Sequence, residues 1–283
     1  MQDAFAHCEA LVRAADKDRF LATLFAPAEH RAALFALYAF NVEITRVREA
    51  ARDPVAGEIR LQWWSDVLEG AGRGEVEAYP EAAALRASMA RYRLAVERLD
   101  ALIAARRFDL YDEPMATVAD LEAYAEGASS TLIALAAQIL SDGKEPDIAA
   151  LSRHAGIAHA IAGLLRAFPA HAARGQVFVP LEILERHGAR RQDVAGGQAT
   201  EALRAALGEL RDCARDHLQQ ARDLFPAASP AIIPALLPVA LAGPTLARME
   251  RRGYDPFAPV EIPPWQRQWL IWRAARRPER IFR

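Results

Sequence analysis

Apolar residues recur at helical spacing over almost the whole of this 283-residue chain, and no series of strands with alternating polarity interrupts them. Hydrophobic residues make up 52% of the sequence, and the predominance of Ala and Leu among them favours helix over sheet. A chain of this length can bury a large core. We see no internal repeat and no linker between folding units. We therefore predict one all-α domain over residues 1–283, a helical bundle around a central cavity.

Prolines and glycines set the expected ends of the helices. Long helices are predicted over residues 80–108 and 117–140. Asp53 and Pro54 should stop an earlier helix, because the residue before a proline avoids helical geometry. A loop is predicted at the glycines of positions 70, 72 and 74.

The composition also predicts where the protein works. We expect no membrane-spanning run of roughly 18 apolar residues, since charges interrupt the candidates. The apolar segment 226–244 is punctuated by prolines, which predicts one or two kinked, buried helices. The first residues include Asp3 and Glu9 and lack the apolar core of a signal peptide. We expect a bacterial cytoplasmic protein.

Charge and cysteine content exclude several kinds of site. The formal net charge of −2 argues against general nucleic-acid binding. Cys8 and Cys213 are too few and too far apart in sequence for a disulfide framework or a thiolate metal site. We expect both to be free thiols in the core.

Five short motifs follow one another in an order that resembles the squalene/phytoene synthase family. They are Asp-Arg-Phe at residues 18–20, Leu-Tyr-Ala-Phe at 37–40, Leu-Gln-Trp-Trp at 61–64, Arg-Gly-Gln-Val-Phe-Val-Pro at 174–180 and Arg-Gly-Tyr-Asp-Pro-Phe at 252–257. The resemblance extends from about residue 18 to 275 and implies the all-α fold of trans-isoprenoid synthases.

Two acidic motifs of that family are altered in this chain. Active members hold Mg²⁺-bound diphosphates between them, since Mg²⁺ needs hard oxygen ligands. The first motif, Asp-x-x-x-Asp, falls on Thr45 and Glu49. The second, Asp-x-x-Glu/Asp-Asp, falls on Ala167, Ala170 and His171, where Pro169 should also end or kink the helix. The resemblance therefore implies vestigial motifs, no catalytic residues and no metal.

The altered segments themselves resemble one branch of the superfamily. Residues 40–47, 61–64, 124–130 and 165–171 are similar to the mitochondrial complex I assembly factor and its alphaproteobacterial relatives. That branch is regarded as non-catalytic. The resemblance implies a role in building the NADH:quinone oxidoreductase at the membrane.

Polar residues near the altered motifs form a candidate ligand pocket. Arg166, His171 and Arg174 could form a cationic pocket for a phosphate or an acidic partner. The alternative is a structural remnant, in which Arg174 pairs with Glu49 or another buried acid and His171 is a hydrogen-bonded interior histidine. Glu43 is expected to pair with Arg46 on its own helix rather than replace a metal ligand. The full candidate set is Glu43, Arg46, Gln62, Glu126, Arg166, His171 and Arg174.

The C-terminal tail, residues 263–283, combines tryptophans with arginines. Trp265, Trp269 and Trp272 share one face of a helix by their i, i+4, i+7 spacing. An aromatic face with cationic flanks suits an anionic membrane surface, whereas the alternative is a last helix that docks on the core. A peripheral position on the inner face of the cytoplasmic membrane is therefore one expectation.

These observations favour a protein without prenyl-transfer activity that acts in complex I assembly, with complex I subunits as partners and no cofactor. The alternative is an active transferase that joins prenyl diphosphates head to head with Mg²⁺. A third interpretation is a carrier of an isoprenoid or quinone-like lipid in an apolar cavity.

Overall fold

The computed structural model describes residues 1–70, 78–111 and 113–283. The loop predicted at Gly72 and Gly74 lies outside the described residues. All regular secondary structure in the described part of the chain is helical, as the sequence predicts. The first helices are α1 Gln2–Ala15, α2 Lys17–Thr23, α3 Ala28–Ala50, α4 Pro54–Leu68, α5 Pro80–Tyr92, α6 Val96–Phe108, α7 Val118–Ala125, a π-helical turn Glu126–Ser130 and α8 Thr131–Leu140. The remainder are α9 Ala149–Ala173, α10 Leu181–Arg186, α11 Arg191–Ala195, α12 Glu201–Leu224, α13 Ile233–Leu236, α14 Ala242–Met249 and α15 Pro264–Arg276.

The chain forms two compact units. The first unit comprises Met1–Tyr111, Thr131–Ala149 and Ala228–Pro238. The second unit comprises Asp112–Ser130, Ala150–Ala227 and Val239–Arg283. The single domain over residues 1–283 stays a prediction.

Helix α3 forms the centre of the first unit, with α1 and α5 packed along it. Apolar side chains along almost its entire length are buried. It ends at Ala50, and the side chain of Asp53 accepts a hydrogen bond from the backbone N–H of Ala56 at 2.9 Å. Pro54 then occupies the first position of α4, where its missing N–H is not needed. The predicted stop at Asp53 and Pro54 is confirmed.

The long helix predicted over residues 80–108 is broken in the first unit, and that prediction is wrong. Helix α5 ends at Tyr92, and Arg93 adopts a left-handed conformation with φ 54° before α6 begins. The buried amide of Gln138 donates hydrogen bonds to the carbonyl oxygens of Tyr92 and Arg93, at 3.2 and 3.0 Å. These tertiary bonds satisfy carbonyls that a continuous helix would have paired internally.

The proline-rich segment contains a longer uncharged apolar run than was predicted from the sequence. Pro230–Met249 is apolar and long enough to cross a membrane by length and composition, so the expectation that charges interrupt every such run is wrong. However, 72% of its most apolar window is buried inside the protein. Its prolines divide it into α13, α14 and 3₁₀ turns, which confirms the prediction of kinked, buried helices.

In the second unit, α9 passes very close to the π-helical turn. A Cβ built on Gly156 would lie 2.4 Å from both the Cα and the backbone N of Ser130. The hydroxyl of Ser130 also donates a hydrogen bond to the backbone oxygen of Arg153 at 3.0 Å. Only glycine at position 156 permits this approach.

Substitution of Gly156 by Ala should destabilise the protein by about 1–3 kcal/mol, because the added methyl group overpacks a backbone contact. Gly163→Ala is the matched control on the same helix, since a Cβ there meets nothing within 4 Å. We expect Gly163→Ala to be neutral or to stabilise by up to about 1 kcal/mol. Urea unfolding of the full-length variants measures both effects, and equal losses would contradict the close approach.

Candidate functional site

The first altered motif lies on the last turns of α3, in the first unit. Thr45, Arg46 and Glu49 are all exposed. The carboxylate of Glu43 accepts a hydrogen bond from the guanidinium of Arg60 on α4, at 3.0 Å. The predicted pairing of Glu43 with Arg46 is therefore wrong, because the side chain of an adjacent helix reaches the carboxylate instead.

Gln62 and the two tryptophans beside it are held by other residues of the first unit. The amide of Gln62 donates to Asp66 at 2.9 Å and accepts from Arg107 at 3.0 Å. Trp64 is buried, with ring centroids 5.0 Å from Phe40 and 5.1 Å from Trp63. These edge-to-face contacts give the tryptophans a packing role.

The second altered motif lies on α9, in the second unit. The prediction is that Pro169 ends or kinks this helix. The helix continues through Pro169 to Ala173, so only the predicted end is wrong. Proline removes only the N–H at its own position, and the remaining packing of α9 maintains the helix across it. Ala167 is half-buried and Ala170 is exposed.

His171 is half-buried against apolar side chains. Its ring centroid lies 4.6 Å from that of Phe178. Burial, followed by the positive charge of Arg174, lowers the pKa of His171 to about 4. The imidazole is therefore neutral near pH 7, whereas Arg166 and Arg174 are exposed cations. A cationic pocket at this place would draw its charge from the two arginines alone.

The cavity beside His171 is small. Leu121, Ile161, Leu165, Phe168, Phe178 and Val179 are among its lining residues. Its volume is about 10 Å³, which is room for roughly one water molecule. A lipid carrier needs several hundred Å³, and this cavity gives that interpretation no support.

A larger cavity, about 200 Å³, lies elsewhere in the second unit and was missed by the sequence analysis. Arg204, Arg211, Glu250 and Tyr254 contribute to its lining. Arg215 donates two hydrogen bonds to Glu250, at 2.6 and 2.8 Å, and these bonds are the main cause of a lowered Glu250 pKa. The Arg-Gly-Tyr motif at 252–254 borders this cavity, which is the signal that could have indicated it.

Glu126 is part of an ion-pair network within the second unit. It lies in the π-helical turn and accepts a hydrogen bond from Nε of Arg153 on α9. The same guanidinium donates to Glu122 on α7 at 2.7 Å. Glu126 is thus engaged with an arginine that the sequence analysis did not single out.

The residues at the altered motifs do not fit a Mg²⁺ clamp. Ala167 and Ala170 offer no ligand atom, and neutral His171 is a poor ligand for Mg²⁺ and faces apolar groups. Glu49 is the one carboxylate that stands at a motif position. This donor set cannot provide the oxygen ligands that Mg²⁺ requires.

Comparison with known proteins identifies the relatives of the chain. The sequence model described as squalene/phytoene synthase matches residues 12–273. Human NADH dehydrogenase (ubiquinone) complex I, assembly factor 6 is 30% identical over 253 residues, covering 89% of this chain and 76% of that protein. The 15-cis-phytoene synthase of Synechococcus elongatus is 26% identical over 283 residues, covering 94% and 91%.

A solved structure carries the same fold. The squalene synthase of Alicyclobacillus acidocaldarius superimposes with a TM-score of 0.77 at 24% identity, over 90% of this chain and 96% of that one. The prediction of an all-α isoprenoid synthase fold is confirmed.

His171 makes stability depend on pH in a predictable direction. Its pKa is about 4 in the folded protein and near 6.5 in the unfolded chain, where apolar groups no longer surround the imidazole. Between these two pH values only the unfolded chain takes up a proton. The contribution of neutral His171 to the free energy of unfolding should therefore be fully present above pH 6.5 and should decrease as the pH falls toward 4.

Replacing His171 with Gln removes this titration. Between pH 7 and pH 4.5 the wild type should lose about 1–2 kcal/mol more stability than His171→Gln, after allowance for partial solvent screening. Urea unfolding across this pH range measures the difference, with pH 8 as the common reference. Parallel pH profiles would contradict the neutral, half-buried imidazole.

Proposed function

The chain belongs to the squalene/phytoene synthase family, and on that premise we propose that it is a non-catalytic member that assists the assembly of respiratory complex I. The observation that carries the proposal is the state of the second motif, where Ala167, Ala170 and His171 stand in place of metal-binding carboxylates. The family resemblance supplies the fold, and these side chains argue against its usual reaction.

Electrostatics explain why the loss of these carboxylates argues against catalysis. Departure of a diphosphate develops negative charge, and metal ions with preorganised cations normally stabilise it. In this chain the Mg²⁺ ligands of the second motif are replaced by two methyl groups and a neutral imidazole. Exposed Arg166 and Arg174 are screened by water and offer a weaker substitute.

The assembly role is supported by the proteins that the chain resembles. Proteins named complex I assembly factor 6 from human, rat and cattle are 29–30% identical to it over 89–91% of its length. The phytoene synthase of Synechococcus elongatus is less similar, at 26%. Subunits of complex I are the partners that this proposal implies.

Deleting the gene should reduce the amount of assembled complex I in the membranes of the source organism. Native gels and NADH:quinone oxidoreductase activity of isolated membranes measure the loss. Wild-type protein and Glu49→Gln should restore the complex equally, because the surviving motif carboxylate has no catalytic task in this proposal.

Two results would contradict the assembly role. One is a normal amount of complex I in the deletion strain. The other is failure of Glu49→Gln together with product formation by the wild type from farnesyl or geranylgeranyl diphosphate with Mg²⁺. The second result would establish the transferase alternative.

The exposed face of α15 supports a second proposal, that the protein binds a membrane surface. Leu270, Ile271 and Ala274 bury one face of α15. The opposite side presents Trp265, Trp269 and Trp272, with exposures of 70%, 45% and 49%.

Arginines lie against these exposed rings. The guanidinium of Arg273 is 4.5 Å from the ring centre of Trp269, and that of Arg276 is 5.9 Å from that of Trp272. Exposed indoles with adjacent cations suit the headgroup region of an anionic bilayer. We propose that α15 holds the protein peripherally on the inner face of the cytoplasmic membrane.

Substitution tests this proposal better than truncation, because Ile281 and Phe282 are buried and removing residues 263–283 would expose the core. Replacing all three exposed tryptophans of α15 with Gln should abolish most co-sedimentation with phosphatidylglycerol vesicles. Val55→Gln with Ile59→Gln is the control, since both side chains are exposed apolar residues of α4. Unchanged binding of the tryptophan variant would refute the membrane face.

A further inference from the structure

Three metal-ligating side chains converge in the second unit, outside the altered motifs. Glu122 lies on α7, and Cys213 and His217 lie four residues apart on one face of α12. One carboxylate oxygen, the thiol sulfur and one imidazole nitrogen all lie within 4.8 Å of one another. The proposed assembly role uses none of these residues.

We propose that Glu122, Cys213 and His217 form a binding site for one divalent transition-metal ion, with Zn²⁺ as the ion that best suits the donors. A thiolate, an imidazole and a carboxylate are the ordinary ligands of Zn²⁺, whereas Mg²⁺ takes oxygen ligands. Three protein ligands leave a fourth position for water in tetrahedral geometry. The site does not depend on complex I assembly and can be tested separately.

The separation of the ligand atoms is close to what one ion requires. Zinc bonds of about 2.0–2.3 Å place two ligand atoms at most about 4.4 Å apart, and nearer 3.5 Å in a tetrahedron. Glu122 Oε1 and His217 Nε2 are already 3.4 Å apart. The set spans at most 4.8 Å, so side-chain movements of about 1 Å would complete the site.

Neighbouring residues orient two of the three ligands. His217 Nδ1 lies 2.9 Å from Nδ1 of His154 on α9, so one ring donates a hydrogen bond to the other. With the proton on Nδ1 of His217, its Nε2 lone pair is free to bind a metal. Arg153 donates to the second oxygen of Glu122 at 2.7 Å and leaves Oε1 directed toward His217.

Burial and charge at the site are compatible with a cation that displaces a proton. His217 is buried, whereas Glu122 and Cys213 are half-buried and leave an approach from solvent. The carboxylates of Glu122, Asp216 and Glu209 lie close enough to Cys213 to act on it electrostatically. Together with Glu126 they offset the charge of Arg153, and metal binding would release the thiol proton.

Titration of metal-free, full-length protein with Co²⁺ tests the site directly. We expect one Co²⁺ per chain, a thiolate-to-cobalt charge-transfer band, and displacement of the Co²⁺ by Zn²⁺. Cys213→Ala should remove the band, while Cys8→Ala, the control at the other cysteine, should retain it. Circular dichroism establishes that each variant is folded.

Substitutions of the histidines provide a second test of the site if Cys213→Ala fails to fold. His217→Gln should weaken Zn²⁺ binding by at least tenfold, and His154→Gln by about 10–100-fold with the band retained. His187→Gln is the control, because His187 bonds Glu209 at 2.7 Å instead. The proposal is overturned if no charge-transfer band forms, or if the band persists unchanged in Cys213→Ala or His217→Gln. Either result would mean that Glu122 and His217 pair with each other without a metal ion.

Discussion

The close approach of α9 to the π-helical turn governs the arrangement of the second unit. With Gly156 against the backbone of Ser130, Arg153 reaches both Glu122 and Glu126 from the adjacent helix. The next residue, His154, then meets His217 of α12. The absence of a side chain at position 156 thus permits the close approach at which two ion pairs and a histidine pair form.

Helical periodicity was sufficient to predict the fold class, and local chemistry was sufficient to predict the break at Asp53 and Pro54. Tertiary contacts explain the failures. Gln138 ends α5 by bonding carbonyls far away in sequence, and α9 continues across Pro169. No periodicity in the sequence contains that information.

Among the predicted site residues, positions on helices followed from the sequence, whereas their contact partners did not. Counting from neighbouring motifs located Ala167 and His171 on α9, but the apolar setting of His171 follows from Phe178 and its neighbours. Glu43 bonds Arg60 of another helix, a partner that i, i+3 spacing cannot indicate. The Cys213 and His217 spacing was visible in the sequence, yet only the tertiary fold brings the carboxylate of Glu122 close to them.

The distribution of the five tryptophans has an optical consequence. Trp63 and Trp64 contact aromatic rings in the first unit, while the other three lie exposed along α15. The intrinsic fluorescence of the protein is therefore weighted toward the surroundings of a single helix. Its emission maximum would report directly when that helix leaves water, without any attached dye.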